Sequence, residues 1–250
     1  MTVALAPGEV LEFIFEGRSS QGGAIEVGGL GELGQLTFNH LLVSLSAVAI
    51  AVLVAMPLAL YLGHIGRFQF IALAAANVGR AVPVLALVAF FIAFVGVGFR
   101  NVLIALTLLA IPPIITNTFV GVRQVDPEIV DAARGQGLGE LAIVRQVELP
   151  LAVPTIFAGL RLSTVTVLAT AIIAPLAAYE TLGEPIISYN VYALAGAVAA
   201  AIIVTLLTLV VDGVLAALQR LLTPKGLKIA ATQSPRRAFL YLPRRRVTTS

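Results

Sequence analysis

The chain has 250 residues, 59% of them hydrophobic and 12% charged, with no Cys and a formal net charge of +3. A soluble domain of this length carries about 25% charged residues, so this one lacks the charge for a water-facing shell, and lipid must cover much of its surface. The missing Cys excludes disulfides, thiol catalysis and cysteinyl metal sites, and His40 and His64 lie too far apart in sequence to read as a ligand pair.

In chain order, residues 1–36 come first. They contain Glu9, Glu12, Glu16, Glu26 and Glu32 against a single Arg18, which is no signal-peptide pattern. Glycine is dense over residues 17–34, so the segment is expected to be loosely ordered and outside the membrane. Leu41 to Leu62 is long and apolar enough to be the first span. Phe68 to Val97 is expected to be one irregular crossing, broken at Asn77 to Pro83, because proline removes a donor and restricts Val82. Asn101 to Val122 is the third span, with Pro112 and Pro113 inside it. Ala152 to Ala178 is the fourth, and Tyr179 to Asn190 an outer loop or short helix. Val191 to Leu222 is the fifth span. The expected fold is all-α integral membrane, a permease domain over residues 37–222 followed by a basic tail at 223–250.

Basic residues set the orientation. With the charged segment 123–150 and the tail in the cytoplasm, thirteen of the 16 Lys and Arg face inward. Arg18 and Arg100 face outward, and Arg80 is left in the membrane. The N-terminus is therefore expected outside and the C-terminus in the cytoplasm. Basic residues at membrane borders read as topology signals, not as a nucleic-acid patch, and the arginine-rich tail as lipid-binding or solvated.

Residues 123–150 are the charge-dense interior segment. Asp126 can cap a helix and Pro127 fits its first turn, where a missing N–H costs nothing. Glu128 suits the positive end of the helix dipole. Gly135, Gly137 and Gly139 permit a sharp turn, and Glu140 to Glu148 can form a second short helix. Ile129, Ala132 and Ala133 share a face that the alanines keep low, so another protein can approach closely. The expectation is an elbow of two short helices at the membrane surface.

This segment resembles the coupling loop of ABC importer permeases, whose signature is Glu-Ala-Ala, three residues, Gly, nine residues, then Ile-x-Leu-Pro. Here it reads Asp131-Ala132-Ala133, Gly137, then Val147-Glu148-Leu149-Pro150, with every spacing kept and Asp and Val replacing Glu and Ile. The resemblance implies a type I importer permease with five transmembrane helices, in which Asp131, Ala132, Ala133, Gly137, Val147, Leu149 and Pro150 form the ATPase-coupling loop. It also implies two copies of a cytoplasmic ATPase that carries ATP and magnesium, a second permease subunit, identical or homologous, and an extracytoplasmic binding protein. The bacterial inner membrane is the expected location. The chain shows no Gly-x-x-x-x-Gly-Lys-Ser/Thr loop, so it is expected to bind no cofactor itself and to be no enzyme.

The stretches 57–60, 76–83, 116–123 and 212–226 look, more narrowly, like the glycine betaine, choline and carnitine osmoprotectant permeases. That resemblance covers most of residues 37–226, and it implies a small osmolyte as cargo. Permeases for methionine or taurine share the architecture, so an amino acid or sulfonate is the alternative cargo. A channel or secondary carrier would not require the coupling loop, and an intramembrane enzyme would need a His-Glu-x-x-His, a Gly-x-Ser-x-Gly or a carboxylate pair that the sequence does not show.

Polar residues within the spans complete the reading. Arg80 costs roughly 2.5–3.5 kcal/mol at a helix centre, so it either lines a water-filled path with Asn77, Pro83 and Asn117 or reaches an interface. Arg161 and Asp212 read as a helix–helix pair. Asn117 and Thr118 are expected to bond across helices, and Ser163, Thr164 and Thr166 to their own helix backbone. Tyr179, Tyr189 and Tyr192 read as an interfacial belt.

Overall fold

The computed structural model describes residues 7–23, 25–66, 83–224 and the single positions 70 and 74. Its main helices are α1 (Pro7–Phe15), α2 (Gly29–Ile65), α3 (Val84–Val95), α4 (Phe99–Arg123), α5 (Pro127–Gly135), α6 (Glu140–Ile143), α7 (Leu149–Thr170), α8 (Glu184–Ile187) and α9 (Tyr189–Leu222). A two-stranded antiparallel hairpin, β1 (Arg18–Ser19) and β2 (Glu26–Val27), joins α1 to α2.

Among the described residues, four helical stretches are long and apolar enough to cross a membrane: Gly29–Ile65, Phe99–Arg123, Glu140–Ala177 and Tyr189–Leu222. Their outward faces are apolar, as at Leu53, Leu209 and Leu221, which suits lipid contact. Apart from positions 70 and 74, only the C-terminal part of the expected second span is described. There Pro83 is extended (φ −67, ψ 120) and caps α3. The 12 residues of α3 rise about 18 Å, too little to cross alone. Asn77 and Arg80 lie outside the described residues, as does the chain from Lys225 onward.

The core lies where α4 packs between α2 and α7. Ala47, Ala51, Ala55 and Ala59 of α2 meet Val102, Ala105, Leu106 and Ala110 of α4. Small residues let the backbones approach. A Cβ on Gly63 would lie 2.8 Å from Val122 Cβ, and one on Gly159 would lie 2.4 Å from Asn117 Cβ. The turn from α3 to α4 is held by Asn101, whose amide donates to the Gly96 carbonyl at 2.9 Å and the Val88 carbonyl at 3.2 Å.

Three expectations are corrected at the ends of the bundle. First, α2 begins at Gly29, twelve residues before Leu41, so the boundary drawn between residues 36 and 37 falls inside a helix. Glycines 29, 31 and 34 disfavour that turn locally. It forms because Leu33 and Leu36 are buried and because the Glu32 carboxylate accepts from the Gly28 N–H. Second, residues 7–23 and 25–27 are not loose. Phe13 of α1 is fully buried against Tyr192 and the Gly196 backbone, and Arg18 donates to the Tyr192 carbonyl at 3.2 Å. That carbonyl is available because α9 kinks at Ala193 (φ 56, ψ −174). Third, Tyr192 does not face an interface. Tyr192 is buried and donates to Glu32 at 2.6 Å, Tyr179 packs edge-on against Phe99, and only Tyr189 is exposed.

Candidate functional site: the elbow between α4 and α7

The segment after Arg123 turns back under the bundle. Asp126 accepts from the Glu128 N–H at 2.9 Å, and Pro127 opens α5, so the cap and first turn are as the local sequence dictates. The helix ends where Leu138 N–H bonds the Ala133 carbonyl across Gly137, whose φ of +86 belongs to the left-handed region. A side chain there is strained whatever space surrounds it.

The second arm differs from expectation. Glu140 does not open a separate short helix. Residues from Glu140 onward run without a break into α7 through a π turn, Val144–Glu148, in which Leu149 N–H reaches the Val144 carbonyl. Pro150, at the first turn of α7, gives no N–H to the turn beneath it, which favours a widened turn. The elbow is thus one short helix, α5, hinged at Gly137 onto an extension of a membrane-crossing helix.

Its residues sort into an exposed tip and a packed joint. Asp131 and Ala132 face outward with Ile129, while Ala133 is buried toward the bundle. Val147, Leu149 and Pro150 are half-buried at the joint, where Leu149 packs on the cluster of Val122, Ala152 and Ile156. A cavity of about 260 Å³ lies between α4, α5 and α7, lined by Gly121, Val125, Ile129, Leu151 and Thr155 among others.

The elbow is held by a chain of charged groups. Arg134 donates to both Glu140 oxygens at 3.0 Å and to Asp131 at 3.0 Å. The Glu140 carboxylate pushes the Arg134 guanidinium further up, so this link stays charged at any working pH. His64, in the last turn of α2, places Nε2 3.1 Å from Glu140 and Nδ1 2.9 Å from Glu148. Glu148 is buried. Local sequence patterns did not single out Arg134, Glu140, Glu148 or His64. Their charge density was visible, but the 84-residue separation of His64 from Glu148 is bridged only by the tertiary fold.

The remaining polar residues divide. Arg161 and Asp212 are brought together by two hydrogen bonds of 2.7 Å between α7 and α9. Among the described residues Asn117 makes no bond across helices; its amide returns to the Pro113 carbonyl of its own helix at 2.9 Å. Thr118 is buried, and its hydroxyl has no hydrogen-bond partner among the described residues. Thr164 and Thr166 bond their own helix, but Ser163 crosses to the Ala110 carbonyl of α4 at 3.0 Å. Close α4–α7 packing through Gly159 makes that crossing available. Pro83 sits at the exposed start of α3, with no path lined by it and Asn117 among the described residues.

An exposed motif on a hinged elbow between two membrane-crossing helices is the form of a transporter's membrane subunit. The family profile of binding-protein-dependent transport system inner membrane components matches residues 32–224, and the chain belongs to that family. It is a membrane permease subunit.

Over 199 residues it is 38% identical to the choline transport system permease protein OpuBB of Bacillus subtilis, covering 79% of this chain and 92% of that one. It is 36% identical over 199 residues to the glycine betaine/carnitine/choline permease OpuCB of the same organism, with the same coverage. With the carnitine permease OpuCB of Listeria monocytogenes it shares 38% over 195 residues, 78% of this chain and 89% of that one. Among solved structures, the inward-facing MetNI methionine ABC transporter matches with a TM-score of 0.69 at 17% identity, covering 78% of this chain and 98% of that one. That likeness shows a shared fold, the type I importer permease.

Proposed function

We propose that the chain carries a small osmolyte of the glycine betaine, choline or carnitine class across the membrane, driven by a separate ATPase. The observation that carries this reading is identity of 36–38% to three permeases named for those solutes, across about four fifths of the chain. The elbow supplies the coupling. Asp131 and Ala132 stand outward on α5, and the adjoining Ile129 and Leu141 are exposed apolar groups that a protein partner can cover.

In this reading the elbow faces the cytoplasm and the N-terminal motif faces outward. Five crossings result, the second including residues 68–97. Two ATPase copies carry ATP and magnesium, a second permease subunit completes the path, and a binding protein delivers the solute from outside. ATPase closure displaces α5. Because α6 is continuous with α7, the displacement tilts a crossing helix rather than bending a loop, which is rigid-body alternating access.

The test is ATP-dependent uptake of radiolabelled glycine betaine and choline by cells producing this chain with its ATPase and binding protein. Gly137→Val is the control. A β-branched residue at φ +86 deforms the hinge, so ATP hydrolysis is expected to continue while uptake is lost. Asp131→Lys is expected to weaken copurification of the ATPase. Normal uptake by the Gly137 variant removes the coupling role. Insertion and ATPase assembly without uptake of either solute keeps the importer and discards the substrate class.

A further inference from the structure

We infer that His64 is a positioning residue that ties the end of α2 to the elbow, and that its doubly protonated form makes the tie. The inference rests on the elbow being the ATPase contact. The elbow is joined covalently to α4 and α7, but α2 lies earlier in the chain, before α3 and α4. His64 gives α2 a direct polar link to both the α6 start and the π turn.

Both ring nitrogens of His64 face carboxylate oxygens, Nδ1 on Glu148 at 2.9 Å and Nε2 on Glu140 at 3.1 Å. A neutral imidazole has one N–H and one lone pair, so it would turn the lone pair on one of the two carboxylates. The imidazolium donates to both. Its position in the last turn of α2 adds the favourable end of the helix dipole. The surrounding charges agree. His64 shares a cavity of about 110 Å³ with Asp131, Glu148 and Arg123, while Arg134 holds Glu140. Three carboxylates thus meet two guanidiniums, and a charged His64 balances the cluster.

A neutral ring makes only one of the two links, and α2 is then released from one arm of the elbow. Less of the ATPase stroke then reaches the first crossing helix. Because the link bears on transmission and not on ATP chemistry, the quantity that moves is solute carried per ATP hydrolysed.

The complete transporter in proteoliposomes, with pH stepped from about 6 to about 8 on the ATPase side, reads this ratio for radiolabelled glycine betaine. The wild-type ratio is expected to fall severalfold across the range. His64→Lys keeps a permanent cation and is expected to flatten the profile, and His64→Gln to flatten it near the wild-type alkaline value. Glu148→Gln, which removes one of the two acceptors of charge, is expected to weaken the pH response. A flat wild-type profile overturns the inference, and so does a His64→Gln profile that keeps the wild-type slope. Absence of ATP-dependent uptake by the wild type at every pH overturns the importer reading itself and the inference with it.

Discussion

The two ends of the bundle are held in opposite ways. At one end, α1 and the hairpin grip the starts of α2 and α9 through buried groups: Phe13 at 0% exposure, Val27, Leu33, and the Tyr192–Glu32 hydrogen bond. At the other, the outer part of the elbow is held by charges in water, with Asp131, Glu140 and Arg134 side chains 74%, 58% and 49% exposed, and only the His64–Glu148 link beneath them is shielded. Buried apolar contact is not easily exchanged for water, whereas exposed ion pairs are worth little each and can be remade. The first end is held by apolar burial and the second largely by ion pairs that water can replace. Low local stability is what a segment needs if a partner is to displace it.

Three substitutions test that contrast. The largest effect is expected from Phe13→Ala, which empties a fully buried site between α1, Tyr192 and Gly196 and costs about 3–5 kcal/mol by comparison with other buried Phe truncations. A clear drop in the thermal unfolding midpoint of the detergent-purified protein is the expected reading; an unchanged midpoint would mean the N-terminal motif anchors nothing.

Tyr192→Phe keeps the ring and removes only the donor to Glu32. A hydrogen bond to a charged group contributes about 1.5–3 kcal/mol, so a smaller fall in the same midpoint is expected. An effect as large as that of Phe13→Ala would shift the anchor's basis from apolar burial to the carboxylate.

Arg134→Ala is expected to leave the unfolding midpoint unresolved from wild type while reducing solute transported per ATP, because it frees α5 from Glu140 without touching the core. Unfolding by this variant would show that the elbow is a structural brace. No pH response is expected from Arg134 itself: a base whose charged form is favoured by Glu140 stays protonated throughout.

Much of the elbow was legible because its signals are local. Asp126, Pro127 and Gly137 each act within one or two turns, and the structure shows the cap, the first-turn proline and the left-handed glycine where such residues belong. The second arm is not legible, because Glu140 to Glu148 reads as a self-contained helix while its join to α7 depends on a π turn that no periodicity announces. Ser163 was assigned to its own helix for a similar reason. Only the close α4–α7 approach offers it the Ala110 carbonyl.

By itself the sequence determined that this is a membrane protein, where its long apolar helices run, and that a capped helix followed by a glycine hinge interrupts them. Those properties follow from composition, hydrophobic length and short-range backbone chemistry. Tertiary structure alone decided that a glycine-rich stretch becomes the first turns of α2, that Tyr192 is buried on Glu32, and that His64 meets Glu140 and Glu148. In a chain this apolar, hydrophobicity does not distinguish a lipid-facing residue from a core residue. Hydrogen bonds between residues 84 or 160 positions apart leave no mark on local pattern.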